Sequence, residues 1–398
     1  MDFKLDAKVE ELRGRIRSFV DTRVIPLERN RDAYDEGGNI AEPWLDDLRA
    51  RARSEGLWCL QLPESLGGGG LGKTGMAVCY EEMNRSIFGP VIFNSAAPDD
   101  GNMMLLAQVG TTAQQERWLK PIIEGRVRSA FAMTEPHPGS GSDPGMMRTT
   151  ATRDGDHWII HGHKWFITGA GVAQHFILVA RTSDDRRKGL TAFLFDRDDP
   201  GWEIVRRIPI LGPEEHGGHC ELRFDGLRIP DGNRLMEVGD GLKVTQIRLG
   251  PARLTHCMRW LGLARRCLEI AGEYVAERES FGSTLAQHEG VQWMLGEAAM
   301  AIQTGRLATL HAAWKLDQGD FARREISMAK VTVADTLHKA ADTAIQLCGA
   351  KGYSRDTVLE WIYRYARQAR LVDGASEVHK MVLARSLIDD PDSFWSWD

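Results

Sequence analysis

The spacing of apolar residues changes twice along this chain of 398 residues, and this limits the possible folds more than any other feature. Near the N-terminus, Val9, Leu12, Ile16 and Phe19 recur every three or four residues, as on one face of a helix. From about residue 126, short segments rich in Trp, Ile and Phe are separated by Gly or Asp, which predicts separate β-strands joined by turns, among them 157–160, 165–168, 176–179 and 192–195. After Gly241 the helical spacing returns and continues to the end. The pattern predicts helices, then strands, then a helical bundle.

The predicted fold class is therefore α+β. We expect an N-terminal helical domain at residues 1–125, a middle β-sandwich or barrel at 126–236 and a C-terminal helical bundle at 237–398. A long bundle helix is indicated by apolar residues that step by four and three over five turns: Cys257, Leu261, Ala264, Leu268, Ala271 and Val275.

Composition excludes several classes of protein. The net charge is -6 and no basic run is longer than Arg186-Arg187-Lys188, which argues against a nucleic-acid partner. No apolar run approaches the roughly 20 residues that span a bilayer. The first residues are acidic, unlike a signal or transit peptide. The six scattered cysteines form no C-x-x-C pair, which predicts buried free thiols. We expect a soluble, cytoplasmic protein with no membrane partner.

Two local patterns could have either a structural or a chemical role, and the structural role is favoured for both. The Gly-rich run 67–72 could bind phosphate, but no strand precedes it and no Lys-Ser/Thr follows, so a flexible link is expected. His157, His161 and His163, like His216 and His219, lack Cys or carboxylate partners at metal-site spacing. They are better explained as polar positions on a strand and, for His216 and His219, in a Gly-rich loop, so no metal site is predicted.

Two further patterns stay open on spacing alone. The segment 139–143 (Gly-Ser-Gly-Ser-Asp) is either a turn or a loop whose backbone N–H groups hold phosphate or a flavin edge. The segment 373–377 (Asp-Gly-Ala-Ser-Glu) lies between two predicted helices. Asp373 and Ser376 are either helix caps, which spacing favours, or Asp373 is a general base on an inter-helix turn.

Several segments taken together resemble the acyl-CoA dehydrogenase family over nearly the whole chain. The resemblance is carried by two flavin signatures, an R-x-x-F-G turn, a Q-x-x-G-G-x-G segment and the position of the family's catalytic Glu-Gly pair. In this sequence these are Phe131–Pro136 with Ser142-Asp143, Gly162–Gly169, Arg278–Gly282, Gln346–Gly352 and Asp373-Gly374.

One subgroup of that family is more similar. Residues 97–103, 250–253 and 373–379 resemble the members that in vertebrates are fused to an aminoglycoside-phosphotransferase-like domain. The sequence shows no such domain, so its chemistry is not expected of this chain.

The resemblance implies a four-helix-bundle C-terminal domain and FAD-dependent α,β-dehydrogenation of an acyl-CoA thioester to the trans-2-enoyl-CoA. By similarity, Asp373 removes the α-proton, flavin N5 takes the β-hydride, and the Asp373 N–H with a ribityl hydroxyl of FAD binds the thioester oxygen. It also implies a place in fatty-acid β-oxidation, an electron-transfer flavoprotein as electron acceptor, and a homo-oligomer, typically a homotetramer.

Binding residues are implied position by position. Those expected at the FAD are Phe131, Met133, Thr134, Ser142, Phe166, Thr168, Arg278, Phe281, Gln346, Gly349, Ala350, Ala375, Ser376 and Glu377, of which Arg278 and Phe281 would reach the FAD of a neighbouring subunit. Those expected at the acyl-CoA are Ser142, Gly250, Pro251, Arg253 and Gly374. Segments such as 94–104 and the helix after Gly241 are expected to form the floor of the acyl pocket.

The sequence departs from the family pattern at several positions. The loop 136–142 is longer than usual, Phe166 replaces a Trp, Glu289 stands at a customary Gln, and Asp373 replaces Glu. Some members place the base near Arg253 instead, but residues 249–252 contain no carboxylate, so Asp373 is the expected base. Two other functions remain open: a flavin oxidase resembling nitroalkane oxidases, and a non-catalytic acyl-CoA-binding protein.

Overall fold

A computed structural model describes residues 4–396 and divides them into two compact units. The helical unit contains the chain up to Pro63, Gly69–Phe93 and the chain from Arg253 onward. The β unit contains Glu64–Gly68 and Asn94–Ala252. The three-domain division remains a prediction from the sequence.

The N-terminal part of the chain is helical, as predicted. In the helical unit the helices are α1 (Ala7–Phe19), α2 (Glu42–Ser54), α3 (Lys73–Met83) and α4 (Gly89–Ile92); in the β unit they are α5 (Asp99–Val109), α6 (Thr112–Gln114) and α7 (Lys120–Ile123). Asp6 caps α1 by accepting a hydrogen bond from the Lys8 N–H at 2.8 Å. Helix α1 buries Leu12, Ile16 and Phe19, three residues of the predicted apolar stripe.

The β unit is built on one eight-stranded sheet. Its strands are β1 (Arg128–Ala132), β2 (Thr150–Asp154), β3 (His157–Thr168), β4 (Ala173–Arg181), β5 (Leu190–Asp196), β6 (Trp202–Arg207), β7 (His219–Pro230) and β8 (Arg234–Leu235). The order is β6-β7-β3-β2-β4-β5-β8, and β1 pairs parallel with β4. The buried core of this unit is formed by aromatic and aliphatic side chains from several strands, among them Trp158, Phe176, Phe193 and Phe195.

Strand β3 is longer than the sequence predicts. Segments 157–160 and 165–168 were expected as separate strands, but they form one strand that pairs antiparallel with β7. Gly162 permits this because its φ of 152° suits glycine, and because a Cβ there would lie 2.6 Å from the Thr149 Cα. The pairing is irregular between Lys164 and Ile167, which gives this end of β3 an uncommon geometry.

The C-terminal part returns to long helices. They are α8 (Gly241–Glu277), α9 (Glu289–Asp317), α10 (Arg323–Cys348), α11 (Ala350–Tyr353), α12 (Leu359–Ala366), α13 (Ser376–Asp389) and α14 (Pro391–Trp395), with a small hairpin of β9 (Glu279–Ser280) and β10 (Ser283–Thr284) after α8. Five of the six predicted stripe residues of α8 are buried, and Leu268 is half-buried. Helix α10 packs against α9, α12 and α13 and forms the centre of the bundle.

All six cysteines are buried thiols, as predicted. The helix after the Gly-rich run has its N-terminal amides occupied: the N–H groups of Lys73 and Thr74 donate to the carboxylate of Asp317 at 2.6 and 2.9 Å. A side-chain anion thus fills the place that a phosphate-binding loop would offer. Within residues 4–396, the helices are too short or too polar to cross a membrane.

Candidate active site

Asp373 lies on a turn between a short 3₁₀ segment, Arg367–Arg370, and α13. Its φ is 51° and that of Gly374 is 98°, so two successive residues adopt the left-handed region. Such a conformation costs a non-glycine residue roughly 1–2 kcal/mol. Helix α13 begins at Ser376 with Ala375 as its N-cap, and no side-chain hydrogen bond caps it. The interpretation of Asp373 and Ser376 as helix caps is therefore wrong.

Three basic side chains hold the backbone of this turn. The ammonium of Lys330, on α10, donates to the carbonyl oxygens of Ala369 at 2.9 Å and Gly374 at 2.8 Å. Burial lowers the pKa of Lys330 to about 8, with smaller opposing effects from Cys257 and Asp373, so the ammonium stays protonated at neutral pH. The strained turn is thus fixed by hydrogen bonds to its carbonyl groups.

The carbonyl oxygen of Asp373 has two further neighbours. Arg253 Nε, on α8, donates to it at 2.9 Å, and His379 Nε2, on α13, lies 3.4 Å away. His379 Nδ1 lies 3.1 Å from Ser327 Oγ on α10. Helices α8, α10 and α13 therefore converge on one turn, which sequence spacing could not indicate.

The carboxylate of Asp373 is mostly buried beside a histidine. Its side chain is 19% exposed, and Oδ2 lies 3.2 Å from His256 Nε2. His256 was not among the predicted site residues. It lies three positions after Arg253 on α8, so both residues face the same side of that helix.

In the β unit, the two segments that resemble flavin signatures are adjacent. The N–H of Trp165 donates to the carbonyl oxygen of Thr134 at 3.0 Å and joins the end of β3 to the segment after β1. Phe166 has a φ of 52° and a ring that is 44% exposed. Thr168 Oγ1 lies 2.9 Å from Nδ1 of His219, on β7. His219, interpreted from the sequence as a polar loop position, therefore orients a predicted flavin contact.

A buried ion pair fixes this region. Lys164 Nζ lies 2.9 Å from Glu135 Oε1 and donates to the Met133 carbonyl oxygen at 2.8 Å. Glu135 also accepts hydrogen bonds from the N–H groups of Arg148 at 2.7 Å and Thr149 at 2.9 Å. Burial opposes ionisation, but Lys164 and these donors outweigh it and lower the pKa of Glu135 to about 2. Burial lowers the pKa of Lys164 to about 8, so both groups are charged at neutral pH.

The loop that follows Glu135 is tied down at its start. The Glu135 N–H donates to the Ser140 carbonyl oxygen at 2.7 Å, and the Ser140 N–H lies 3.2 Å from Glu135 Oε2. Ser142 is exposed, whereas Ser140 is buried. Among the described residues, the Ser140 hydroxyl has no hydrogen-bond partner.

The predicted floor of the acyl pocket contains a buried polar network. Arg248 Nε, in the first half of α8, lies 3.3 Å from Asn102 Oδ1 on α5, and its guanidinium carbon lies 4.6 Å from the Phe131 ring centroid. Asn102 donates to Ser129 Oγ at 2.9 Å, and the Ser129 N–H and hydroxyl donate to Asp99. The two expected segments do meet, and their contact is polar. Gly250 and Pro251 follow Arg248 on the same helix and are half-buried.

The remaining predicted FAD contacts lie in the helical unit and are mostly on its surface. Phe281 is 99% exposed at a φ of 54° in the β9–β10 turn. Exposed residues of this group are Arg278, Gln346, Gly349, Ala350 and Glu377. Ser376 differs, because it is buried and its hydroxyl has no hydrogen-bond partner among residues 4–396.

Each unit, considered separately, has features that fit a flavoprotein. Phe166 is held exposed beside the partly exposed hydroxyl-bearing residues Thr134 and Thr168, which suits a flat ring with polar edges. The hydroxyls of Ser140 and Ser376 are buried polar atoms that lack partners within the described chain. Asp373 supplies a carboxylate on a turn that three helices hold in place.

Comparison with known proteins identifies the family of the chain. Models of the acyl-CoA dehydrogenase N-terminal, middle and C-terminal domains match residues 6–126, 130–227 and 239–388. FadE2 of Mycobacterium tuberculosis, named a probable acyl-CoA dehydrogenase, is 37% identical over 97% of both chains. The structure of butyryl-CoA dehydrogenase from Megasphaera elsdenii is 28% identical, with a TM-score of 0.84, over 98% of this chain and 100% of that one. The chain belongs to the acyl-CoA dehydrogenase family and has its fold.

A vertebrate group of relatives is longer. Acyl-CoA dehydrogenase family member 11 of Rattus norvegicus is 37% identical over 98% of this chain but only 51% of its own length. The chain thus spans about half the length of those curated relatives, consistent with the fused subgroup that its motifs resemble.

Proposed function

We propose that the protein is an FAD-dependent acyl-CoA dehydrogenase in which Asp373 removes the α-proton of an acyl-CoA thioester. One observation carries the proposal: a mostly buried carboxylate stands on a left-handed turn whose carbonyl groups are held by Lys330 and Arg253. A helix cap needs no such turn, whereas a base must be fixed within reach of a weakly acidic C–H group.

When bound, FAD supplies the acceptor for the hydrogen that leaves the β-carbon with its electron pair. Asp373 accepts the α-proton, and the electrons of that C–H bond form the Cα=Cβ double bond of a trans-2-enoyl-CoA. The Asp373 N–H would donate to the thioester oxygen as negative charge develops there. One residue would then supply both the base and an oxyanion donor, for which the turn must be rigid.

The β unit would hold the flavin ring through Phe131, Met133, Thr134, Ser142, Phe166 and Thr168. The Glu135–Lys164 pair would keep the segment after β1 and the loop before β2 in place, since Lys164 binds the Met133 carbonyl oxygen and Glu135 binds the N–H groups of Arg148 and Thr149. Ala375, Ser376 and Glu377 would contact the same cofactor, and Gln346, Gly349 and Ala350 would join Arg278 and Phe281 at the FAD of a partner subunit.

Gly250, Pro251, Arg253 and Gly374 would lie at the acyl-CoA, with Ser142 near its pyrophosphate end. Reduced flavin would pass its electrons to an electron-transfer flavoprotein, and the reaction would serve fatty-acid β-oxidation. We also propose that the protein is a homotetramer. The cytoplasmic location remains a prediction from the sequence.

The test is an anaerobic visible spectrum of the holoprotein titrated with short, medium, long and branched acyl-CoAs. We expect one class to bleach the oxidised flavin band in the wild type. Asp373→Asn should retain FAD and lose at least about 10²-fold in the rate of flavin reduction, because the amide cannot accept the proton.

The matched control is Asp342→Asn, which changes an exposed aspartate on α10. Its flavin should be reduced at the wild-type rate. Full activity of Asp373→Asn would remove Asp373 from the reaction. A yellow protein that no thioester bleaches, with hydrogen peroxide formed on another substrate in air, would indicate a flavin oxidase. A colourless protein that cannot take up FAD would indicate an acyl-CoA-binding protein.

A further inference from the structure

His256 is the imidazole that faces the carboxylate of Asp373. Its Nε2 lies 3.2 Å from Asp373 Oδ2, and its side chain is only 11% exposed. The ring stacks on Trp260, one turn further along α8, with centroids 5.1 Å apart and planes 22° apart. Trp260 is fully buried, so the imidazole rests on a fixed surface and its orientation is restricted.

The two nitrogens of the His256 ring have different surroundings. Nδ1 is buried and has no hydrogen-bond partner within residues 4–396. A protonated imidazole carries N–H groups on both nitrogens, and here the Nδ1–H would be buried without an acceptor. A neutral ring with its hydrogen on Nε2 places that hydrogen toward the carboxylate, and the other nitrogen then carries only a lone pair.

Other basic groups near Asp373 act on the backbone. Arg253 of α8 and His379 of α13 address the Asp373 carbonyl oxygen, and Lys330 of α10 holds the carbonyl oxygen of Gly374. Glu377, on the first turn of α13, is exposed. Arg253, His379 and Lys330 thus contact the backbone of the turn, and His256 faces the side chain that the turn presents.

Resting on the proposed function, we propose that His256 is a positioning residue that holds one oxygen of the Asp373 carboxylate and leaves the other to take the α-proton. Asp is one methylene shorter than the Glu at this position of the family, and rotation about its last bond is soft. A donor to Oδ2 selects one rotation and stabilises the ionised carboxylate. The present contact has the distance but not the full alignment of a hydrogen bond, and such contacts often tighten when substrate binds.

The test compares His256→Leu, which has no donor, with His256→Gln, which can present an amide N–H at a similar reach. Anaerobic stopped-flow measurements give the limiting rate of flavin reduction and the Kd of the acyl-CoA from pH 5 to 9. For His256→Leu we expect a limiting rate at least about tenfold lower, an acid limb of the pH–rate profile shifted upward by about one pH unit, and little change in Kd. His256→Gln should recover most of the rate and the wild-type profile.

His338→Leu is the matched control, because His338 also packs on an aromatic ring, that of Tyr363, at 5.4 Å. It should follow the wild type in rate and pH profile. Suppose that acyl-CoA reduces the flavin of the wild type but not that of Asp373→Asn. If His256→Leu then has the same reduction rate and pH profile as His338→Leu, the role of His256 is overturned while the proposed function stands. If acyl-CoA reduces Asp373→Asn as well, the proposed function itself fails.

A second measurement applies even where His256→Leu folds poorly. ¹⁵N NMR of the ¹⁵N-histidine-labelled holoprotein should show one ring, missing in His256→Gln, with hydrogen on Nε2 and a pyridine-like Nδ1. Asp373→Ala should weaken this preference. A ring that is doubly protonated at neutral pH, or unchanged by Asp373→Ala, would contradict the proposal.

Discussion

At the scale of single residues, Asp373 illustrates what the site requires. A left-handed aspartate followed by a left-handed glycine is an unfavourable local conformation, and the chain offsets its cost with donors from three helices. Gly374 has a φ of 98°, which favours glycine, and a Cβ there would make a tight contact of 3.1 Å with His379 Nε2. The turn and its supporting side chains therefore act as one structural feature.

His379 connects this turn to the pH dependence of stability. Burial lowers the pKa of His379 to about 4, and the charges of Arg253 and Lys330 act in the same direction. In the unfolded chain the imidazole titrates near 6.5. Between these values the unfolded state binds more protons, so the free energy of unfolding falls as pH falls from 6.5 to 4.

Replacing His379 with Gln should flatten this dependence. We expect the wild type to lose more stability than His379→Gln between pH 7 and pH 5, measured by urea unfolding. His338→Gln serves as the control, since that histidine is only half-buried and its variant should keep the wild-type slope. Equal slopes for His379→Gln and the wild type would contradict the assignment.

At the scale of elements, the β1–β3 region depends on the buried pair of Glu135 and Lys164. Their side chains are 2% and 0% exposed, and Glu135 binds the backbone of the loop before β2. A buried pair contributes little net stability, but removal of one partner leaves a buried charge and costs about 3–5 kcal/mol.

Glu135→Gln should therefore lower the free energy of unfolding by about 3 kcal/mol and weaken FAD retention, because the loop at 136–149 loses its anchor. Urea unfolding and flavin absorbance after gel filtration measure the two effects. Glu116→Gln is the control: Glu116 forms an exposed i,i+4 pair with Lys120, worth at most about 1 kcal/mol. If Glu135→Gln has the same free energy of unfolding as this control, the pair is not required for the stability of the fold.

Strand β3 and the long helices show how much of the fold can be predicted from the sequence. The spacing of apolar residues identified the β region and the long helices, because apolar periodicity directly reflects burial. The same spacing split β3 in two, because the segment His161–Lys164 is polar, and a polar stretch with a glycine is usually a turn. Lys164 is nevertheless fully buried, and its partner Glu135 is 29 residues away.

The candidate site could also be predicted only in part. Motif order pointed to Asp373, Phe166 and Thr168, whereas spacing alone favoured a helix cap at Asp373. His256, Lys330 and His219 were not identified, because each contacts a residue distant in sequence. His379 was also not identified: it lies six residues from Asp373, and only the conformation of the turn brings its Nε2 to the Asp373 carbonyl oxygen. Only the packing of helices α8, α10 and α13, and of strands β3 and β7, brings the distant pairs together.

At the scale of the whole molecule, α9 carries an apolar stripe that the folded chain leaves exposed. Trp293, Met300, Leu307 and Trp314 are 63%, 65%, 44% and 49% exposed, and each lies seven residues from the next. Seven residues fall about 20° short of two helical turns, so these side chains form one slowly drifting line roughly 30 Å long. Exposed apolar surface of this extent is characteristic of an interface.

A second copy of this chain is the partner that the proposed homo-oligomer supplies. The double variant Met300→Lys with Leu307→Lys should shift the protein to a smaller species, because two buried charges would lack partners in a self-complementary contact. Light scattering coupled to gel filtration measures the mass. Val205→Lys, which adds charge at a 45% exposed position on β6, should leave the mass unchanged.

FAD retention provides an independent check on the proposed interface. If Arg278 and Phe281 reach the FAD of a partner subunit, the dissociated double variant should lose FAD more readily than Val205→Lys, although neither substitution lies among the predicted FAD contacts. Phe281→Ala in the intact oligomer should produce the same loss of flavin without a change in mass. A dissociated variant that keeps its FAD as tightly as the oligomer would mean that each chain holds its cofactor alone, and the exposed Phe281 would then need another role.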